Sequence, residues 1–159
     1  MHRYSFLPSL LSCIVAWEQV YTVNNFWDRL RRDVADVSGQ PHIYESRFNE
    51  ARDDFEDFYF VSPIEPELLA LVLEDWDIWT RWSEAFDRGE TQKENHPAPP
   101  QDRLRHDELK QLIGQRFKSD AANCRKRRGE FRNVRPGWNG LEVQWSEPEP
   151  SSRSGATMC

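Results

Sequence analysis

The sequence predicts a mainly α fold, an irregular four- to five-helix bundle with a C-terminal β-hairpin. Two observations predict it. Apolar residues recur at steps of three and four through five successive stretches between Leu10 and Phe117, the spacing that puts them on one face of a helix. The period falls to two only after Gly129, where Leu141, Val143 and Trp145 alternate with Glu142, Gln144 and Ser146 as in a half-buried strand.

A first helix is expected over Pro8–Tyr21, with Leu10, Ile14, Trp17 and Tyr21 on one stripe and Pro8 in the first turn, where a missing N–H costs nothing. Tyr4–Trp17 follows Arg3 and has the outline of a signal-peptide core. Pro8 and the serines Ser5, Ser9 and Ser12 interrupt it, and no Ala-x-Ala-like site follows, so it reads as an amphipathic helix. Asn25 caps a second helix that buries Phe26, Trp27, Leu30, Val34 and Val37 and stops at Gly39, ahead of Pro41. The two also read as one long helix.

A third helix is expected over Tyr44–Tyr59, with Tyr44, Phe48, Ala51, Phe55 and Phe58 or Tyr59 inward and Glu45, Glu50, Asp53, Asp54, Glu56 and Asp57 outward. The fourth has the fullest signals. Ser62-Pro63-Ile64-Glu65 resembles a capping box with Pro at the first helical position. A stripe of Leu68, Leu69, Val72, Trp76, Trp79, Trp82 and Phe86 then runs to Gly89. From Pro66 to Arg88 it spans about 35 Å at the helical rise, with Asp77–Arg81 and Glu84–Arg88 as i, i+4 pairs. After a polar loop containing His96-Pro97-Ala98-Pro99-Pro100, a fifth helix over Asp102–Lys118 buries Leu104, Leu109, Leu112, Ile113 and Phe117. The hairpin pairs Phe131–Arg135 with Leu141–Ser146 across the turn-rich Pro136–Gly140. Residues 1–146 form one domain, and the Pro-, Ser- and Gly-rich stretch 147–159 is a disordered tail.

At 159 residues and 13% aromatic, with seven tryptophans, the chain can bury a core of its own and is not globally disordered. Its net charge of −6 is unevenly placed. Residues 1–101 carry −10, residues 102–135 carry +6 and the remainder −2. Two readings follow: a surface for a charged partner, or two regions that neutralise each other within the fold. The odd set Cys13, Cys124 and Cys159 has neither metal-ligand nor disulfide-framework spacing and fits a reducing, cytoplasmic setting. No stretch reaches the ~20 apolar residues of a membrane span.

No catalytic residue, metal site or cofactor site is expected. His2, His42, His96 and His106 lack helical metal spacing, and no G-x-S-x-G, Walker A or G-x-G-x-x-G pattern occurs. Cys124, beside Arg125 and Lys126, is the one thiol whose surroundings favour a thiolate. The Trp76, Trp79 and Trp82 stripe reads as core, with carboxylates as partners for the indole N–H groups. The functional expectation is a non-enzymatic protein-binding module of the immunity, inhibitor or adaptor type. It would present an acidic helical surface, Glu50, Asp53, Asp54 and Asp57 flanked by Tyr44 and Tyr59, to a basic protein. The alternative is a nucleic-acid-binding accessory subunit using Arg125, Lys126, Arg127, Arg128, Arg132 and Arg135 on phosphates, with Phe131 and Trp138 stacking on bases.

Overall fold

A computed structural model describes residues 16–24 and 30–148. The chain is built on a β-sheet, not on a helical bundle. Strands β1 (Glu18–Gln19), β2 (Arg32–Val37), β3 (Gln40–Glu45), β6 (Tyr59–Pro63), β7 (Arg125–Asn133) and β8 (Leu141–Ser146) form one antiparallel sheet in the order β1-β8-β7-β6-β3-β2. Val20 makes an antiparallel bridge to Ala35 of β2, and the Tyr21 N–H donates to the Val34 carbonyl at 2.8 Å. The first strand therefore meets both ends of the sheet and closes it into a six-stranded barrel, which removes the unpaired edges of an open sheet. A small hairpin, β4 (Phe48–Asn49) with β5 (Asp54–Phe55), projects between β3 and β6. Two helices, α1 (Pro66–Asp87) and α2 (Arg103–Ile113), are inserted between β6 and β7.

The expected helices over 44–59 and through Val34 and Val37 are thus strands, and the reason is local. Ser38 and Gly39 both take positive φ (54° and 75°), the signature of a two-residue type I′ hairpin turn. It pairs β2 with β3 from Arg32↔Glu45 to Val37↔Gln40. Gly39 turns a hairpin; it does not stop a helix. The spacing of Tyr44, Phe48 and Phe55 is helical only by coincidence, because those rings sit on different strands. The end of the first expected helix is not helical either: Glu18–Gln19 is β1 and Val20 bridges Ala35, so Trp17 and Tyr21 belong to an extended segment. The rest of that helix and the start of the second fall in residues 1–15 and 25–29, outside the described residues, as does the expected tail from 149 onward.

The wall made by β2 and β3 is covered on both sides, which is how Val34 and Ala35, and Ile43 and Tyr44, come to be buried as neighbours in sequence. Alternation sends Ala35, Tyr44, Val61, Val143 and Trp145 into the barrel, where they form one cluster that Trp76 of α1 joins. It sends Val34 and Ile43 outward under Ile64, Leu68 and Val72 at the start of α1.

The helices match expectation more closely. Pro66 occupies the first turn of α1, and Leu68, Val72, Trp76 and Trp82 are buried. The tryptophans are structural, but carboxylates are not the partners of Trp79 and Trp82. The Trp79 indole N–H donates to His96 Nε2 at 3.3 Å and that of Trp82 to the Gln92 carbonyl at 3.4 Å. The shorter α2 docks on α1 through Ile78, Ala98 and Leu109. Arg105 forks onto Glu74 at 2.6 and 2.8 Å, and His106 Nδ1 meets Asp75 at 2.6 Å. Leu104 and Leu112, expected inside, face outward. Arg81 pairs with Asp102 across the loop, and Arg88 pairs with Glu90.

Candidate functional site

Four aromatic rings fill the barrel interior. Tyr44 from β3 lies 5.4 Å from Tyr59, 5.7 Å from Phe131 and 5.7 Å from Trp145, centroid to centroid. Tyr59, Phe131 and Trp145 also contact one another. Tyr44 is wholly buried and its hydroxyl has no hydrogen-bond partner among the described residues. Burial, then the charges of Asp33 and Tyr59, hold its phenol well above the usual tyrosine range.

Above this plug, at the end where the Ser38–Gly39 turn lies, the barrel opens into a cavity of about 720 Å3. Its walls combine apolar surface (Val37, Val61, Pro63, Trp145) with charged or polar side chains from three strands, namely Glu18 from β1, His42 from β3, and Arg125 and Arg127 from β7. Strand alternation is what puts the two arginines there. In Arg125-Lys126-Arg127-Arg128-Gly129-Glu130-Phe131, the first, third, fifth and seventh residues face inward. Gly129 permits the arrangement, since a Cβ at that position would stand 2.8 Å from Trp145 Cζ3 and 3.2 Å from Phe131. At Gly129 β7 has also changed partner, from β6 over Arg125–Arg127 to β8 over Arg128–Asn133.

Each polar group at the mouth is held in a definite way. The Trp145 indole N–H donates to the Asp36 carbonyl at 2.8 Å, so only the ring is offered to the cavity. Glu18 Oε1 accepts the Gly39 N–H at 2.7 Å. His42 Nδ1 lies 2.7 Å from the Gln40 carbonyl. That carbonyl can only accept, so Nδ1 carries the proton and Nε2 is the acceptor of the neutral ring. Arg127 is largely buried, with 19% of its side chain exposed, and meets the Glu147 carboxylate at 3.3 and 3.4 Å. Arg125 makes no ion pair with another described residue. A flat wall of indole, two guanidiniums and a few acceptors suits an anion with an apolar body.

A second buried polar group lies toward the opposite end of the barrel. Asp33, fully buried opposite Tyr44 in the β2–β3 register, accepts from Thr22 Oγ1 at 2.8 Å and from Asn24 through its backbone N–H and its side-chain amide. Burial pushes its carboxyl up to about 7 despite these donors.

The residues expected to bind a basic partner divide in two. Glu50, Asp53, Asp54 and Asp57 are exposed on and just after the β4–β5 hairpin, with Asp57 3.4 Å from Arg52. Tyr44 and Tyr59 belong to the interior plug and do not flank that surface. The six basic residues do not form one strip. Arg125 and Arg127 line the cavity; Lys126 lies over Phe58 at 4.5 Å, outside the barrel. Arg128 is exposed, Arg132 covers Trp17 and bonds Glu142, and Arg135 donates to the Asn139 carbonyl. Phe131 is part of the plug and Trp138 packs edge-on against Trp79 at 5.0 Å. Cys124 is disulfide-bonded, so it is not the free thiol expected. Among the described residues no three His, Cys, Asp or Glu side chains are grouped to hold a metal ion.

No family model, curated protein or solved structure matches this chain. Sequence reasoning missed Glu18 and His42 because no motif or spacing links them; they meet only where β1 and β3 reach the mouth of the barrel. It grouped Arg125–Arg128 by contiguity, although the two-residue period visible at 141–146 also runs through 125–131 and separates inward from outward residues.

Proposed function

We propose that this protein binds a small organic anion in the mouth of its barrel. The observation that carries the reading is the placement of Arg125 and Arg127 on the inner face of β7, at a cavity of about 720 Å3 walled by the Trp145 ring. Guanidiniums hold carboxylates and phosphates through paired N–H donors, and an adjacent indole adds apolar contact with a flat ligand body. The test is calorimetric titration of the full chain with naphthoate, naphthyl phosphate and the cation naphthylmethylammonium. The anions should bind and the cation should not. Arg125→Ala and Arg127→Ala should each weaken anion binding about tenfold or more, the worth of a charge-assisted hydrogen bond. Equal binding of the cation, or unchanged affinity in both variants, contradicts the reading.

A second reading concerns the β4–β5 hairpin. Phe48 is 50% exposed at its base, beside exposed Glu50, Asp53 and Asp54, an aromatic set among acids of the kind that anchors a basic protein partner. It retains the protein-binding expectation on a hairpin in place of a helix. Asp53→Lys with Asp54→Lys should then lower affinity for a basic partner and flatten its salt dependence; an unchanged salt slope removes this reading.

No helix among the described residues is long and apolar enough to cross a membrane. The disulfide at Cys124 supports an oxidising compartment over the cytoplasm expected from the cysteine count.

A further inference from the structure

We infer that Glu147 is an internal competitor for the barrel mouth, and that the ligand which displaces it is a monocarboxylate on a flat apolar body. The inference rests on the anion-binding reading above and narrows its chemistry.

It begins with the asymmetry of the Arg127–Glu147 pair. Arg127 is a largely buried cation that needs a counter-charge whenever the cavity is empty, because an uncompensated buried charge is costly. Glu147 follows β8 and is 80% exposed, and both of its contacts to Arg127 are long, 3.3 and 3.4 Å. A carboxylate so exposed keeps most of its hydration and loses little on leaving. The pair therefore holds a cation neutral without holding it tightly. A carboxylate delivered by a ligand makes the same two-oxygen contact from inside the cavity, where less water competes.

Charge counting selects the ligand class. With Glu147 in place, the charges that the described residues bring to the mouth are those of Glu18, Glu147, Arg125 and Arg127, and they cancel. With Glu147 gone the mouth carries +1, because Glu18 stays anchored to the Gly39 N–H. A monocarboxylate restores neutrality. A phosphate monoester, close to dianionic at neutral pH, leaves the mouth negative beside Glu18. The apolar walls, Val37, Val61, Pro63 and the Trp145 ring, ask for a flat hydrophobic body. The aromatic plug beneath limits that body to the mouth, so the ligand is compact and does not thread the barrel.

The test is titration of wild type and of Glu147→Gln with naphthoate and with naphthyl phosphate, the fold of each protein being checked by its melting temperature. The structure predicts that naphthoate binds more tightly than the phosphate. It also predicts that E147Q strengthens naphthoate binding about two- to fivefold, the range expected for release of an exposed ion pair. That gain should vanish in the E147Q, R127A double variant. Tighter binding of naphthyl phosphate overturns the carboxylate assignment, and unchanged naphthoate affinity in E147Q overturns the competitor role. Both outcomes leave the anion pocket standing. If neither anion binds wild type or E147Q, the pocket reading itself falls with the inference.

Discussion

Asp33 is a residue whose ionisation the fold controls strongly. Thr22 and Asn24 supply it with donors, yet burial outweighs them and lifts the carboxyl to about 7 from an ordinary 3.8. A carboxyl raised on folding takes up a proton between those two values, so the folded state is favoured on the acid side. Stability should therefore fall as pH rises from about 4 to about 7 and level off above, by at most about 4 kcal/mol. Asp33→Asn keeps the shape and removes the titration. Melting temperatures of both proteins between pH 4.5 and 8 check this. The wild-type curve should decline across the window and the variant curve should lack that decline. Parallel curves would mean that Asp33 ionises normally. Thr22 is bound into the same arrangement, since its hydroxyl also accepts the Val34 N–H at 3.2 Å.

At the scale of elements, β7 decides the site. It is long enough to serve β6 with one end and β8 with the other, and Gly129 gives Trp145 room to cross it. Gly129→Ala forces a Cβ to within 2.8 Å of Trp145, and overpacking of that kind costs about 1–3 kcal/mol. Chemical denaturation should show that loss, with weakened anion binding as the indole shifts. A variant as stable as wild type would show that the plug has slack. The elements also explain what was legible beforehand. Helix α1 announced itself through Pro66 and a long apolar stripe; α2 and the β7–β8 pairing were likewise visible. The β2–β3 hairpin was not, although Ser38-Gly39 is a turn signal. In a closed barrel covered by helices, Val34 with Ala35 and Ile43 with Tyr44 are buried on opposite faces of one strand. The polar-apolar alternation that betrays a half-exposed strand is erased there, and a helical reading takes its place.

Across the whole molecule, barrel and helices have separate tasks. The helices cover the outer wall at Val34 and Ile43 and are clipped together by Arg105–Glu74 and His106–Asp75. The barrel keeps one end filled with rings and the other open. Charge segregation along the sequence is thereby resolved in part. Some basic residues of the C-terminal third face the cavity, while the acids of the hairpin remain on the surface. The candidate site was hardly legible in the sequence because it is assembled from β1, β2, β3, β6, β7 and β8, and only the β2–β3 and β7–β8 hairpins join neighbours in sequence. The central claim, that the mouth is a ligand site, is tested most directly by mapping resonance shifts on an isotope-labelled sample titrated with naphthoate. The structure predicts that the largest shifts fall on the Trp145 indole N–H, the Arg125 and Arg127 guanidiniums and the His42 ring. Shifts gathered instead on the β4–β5 hairpin or on α2, with the mouth unmoved, would contradict it.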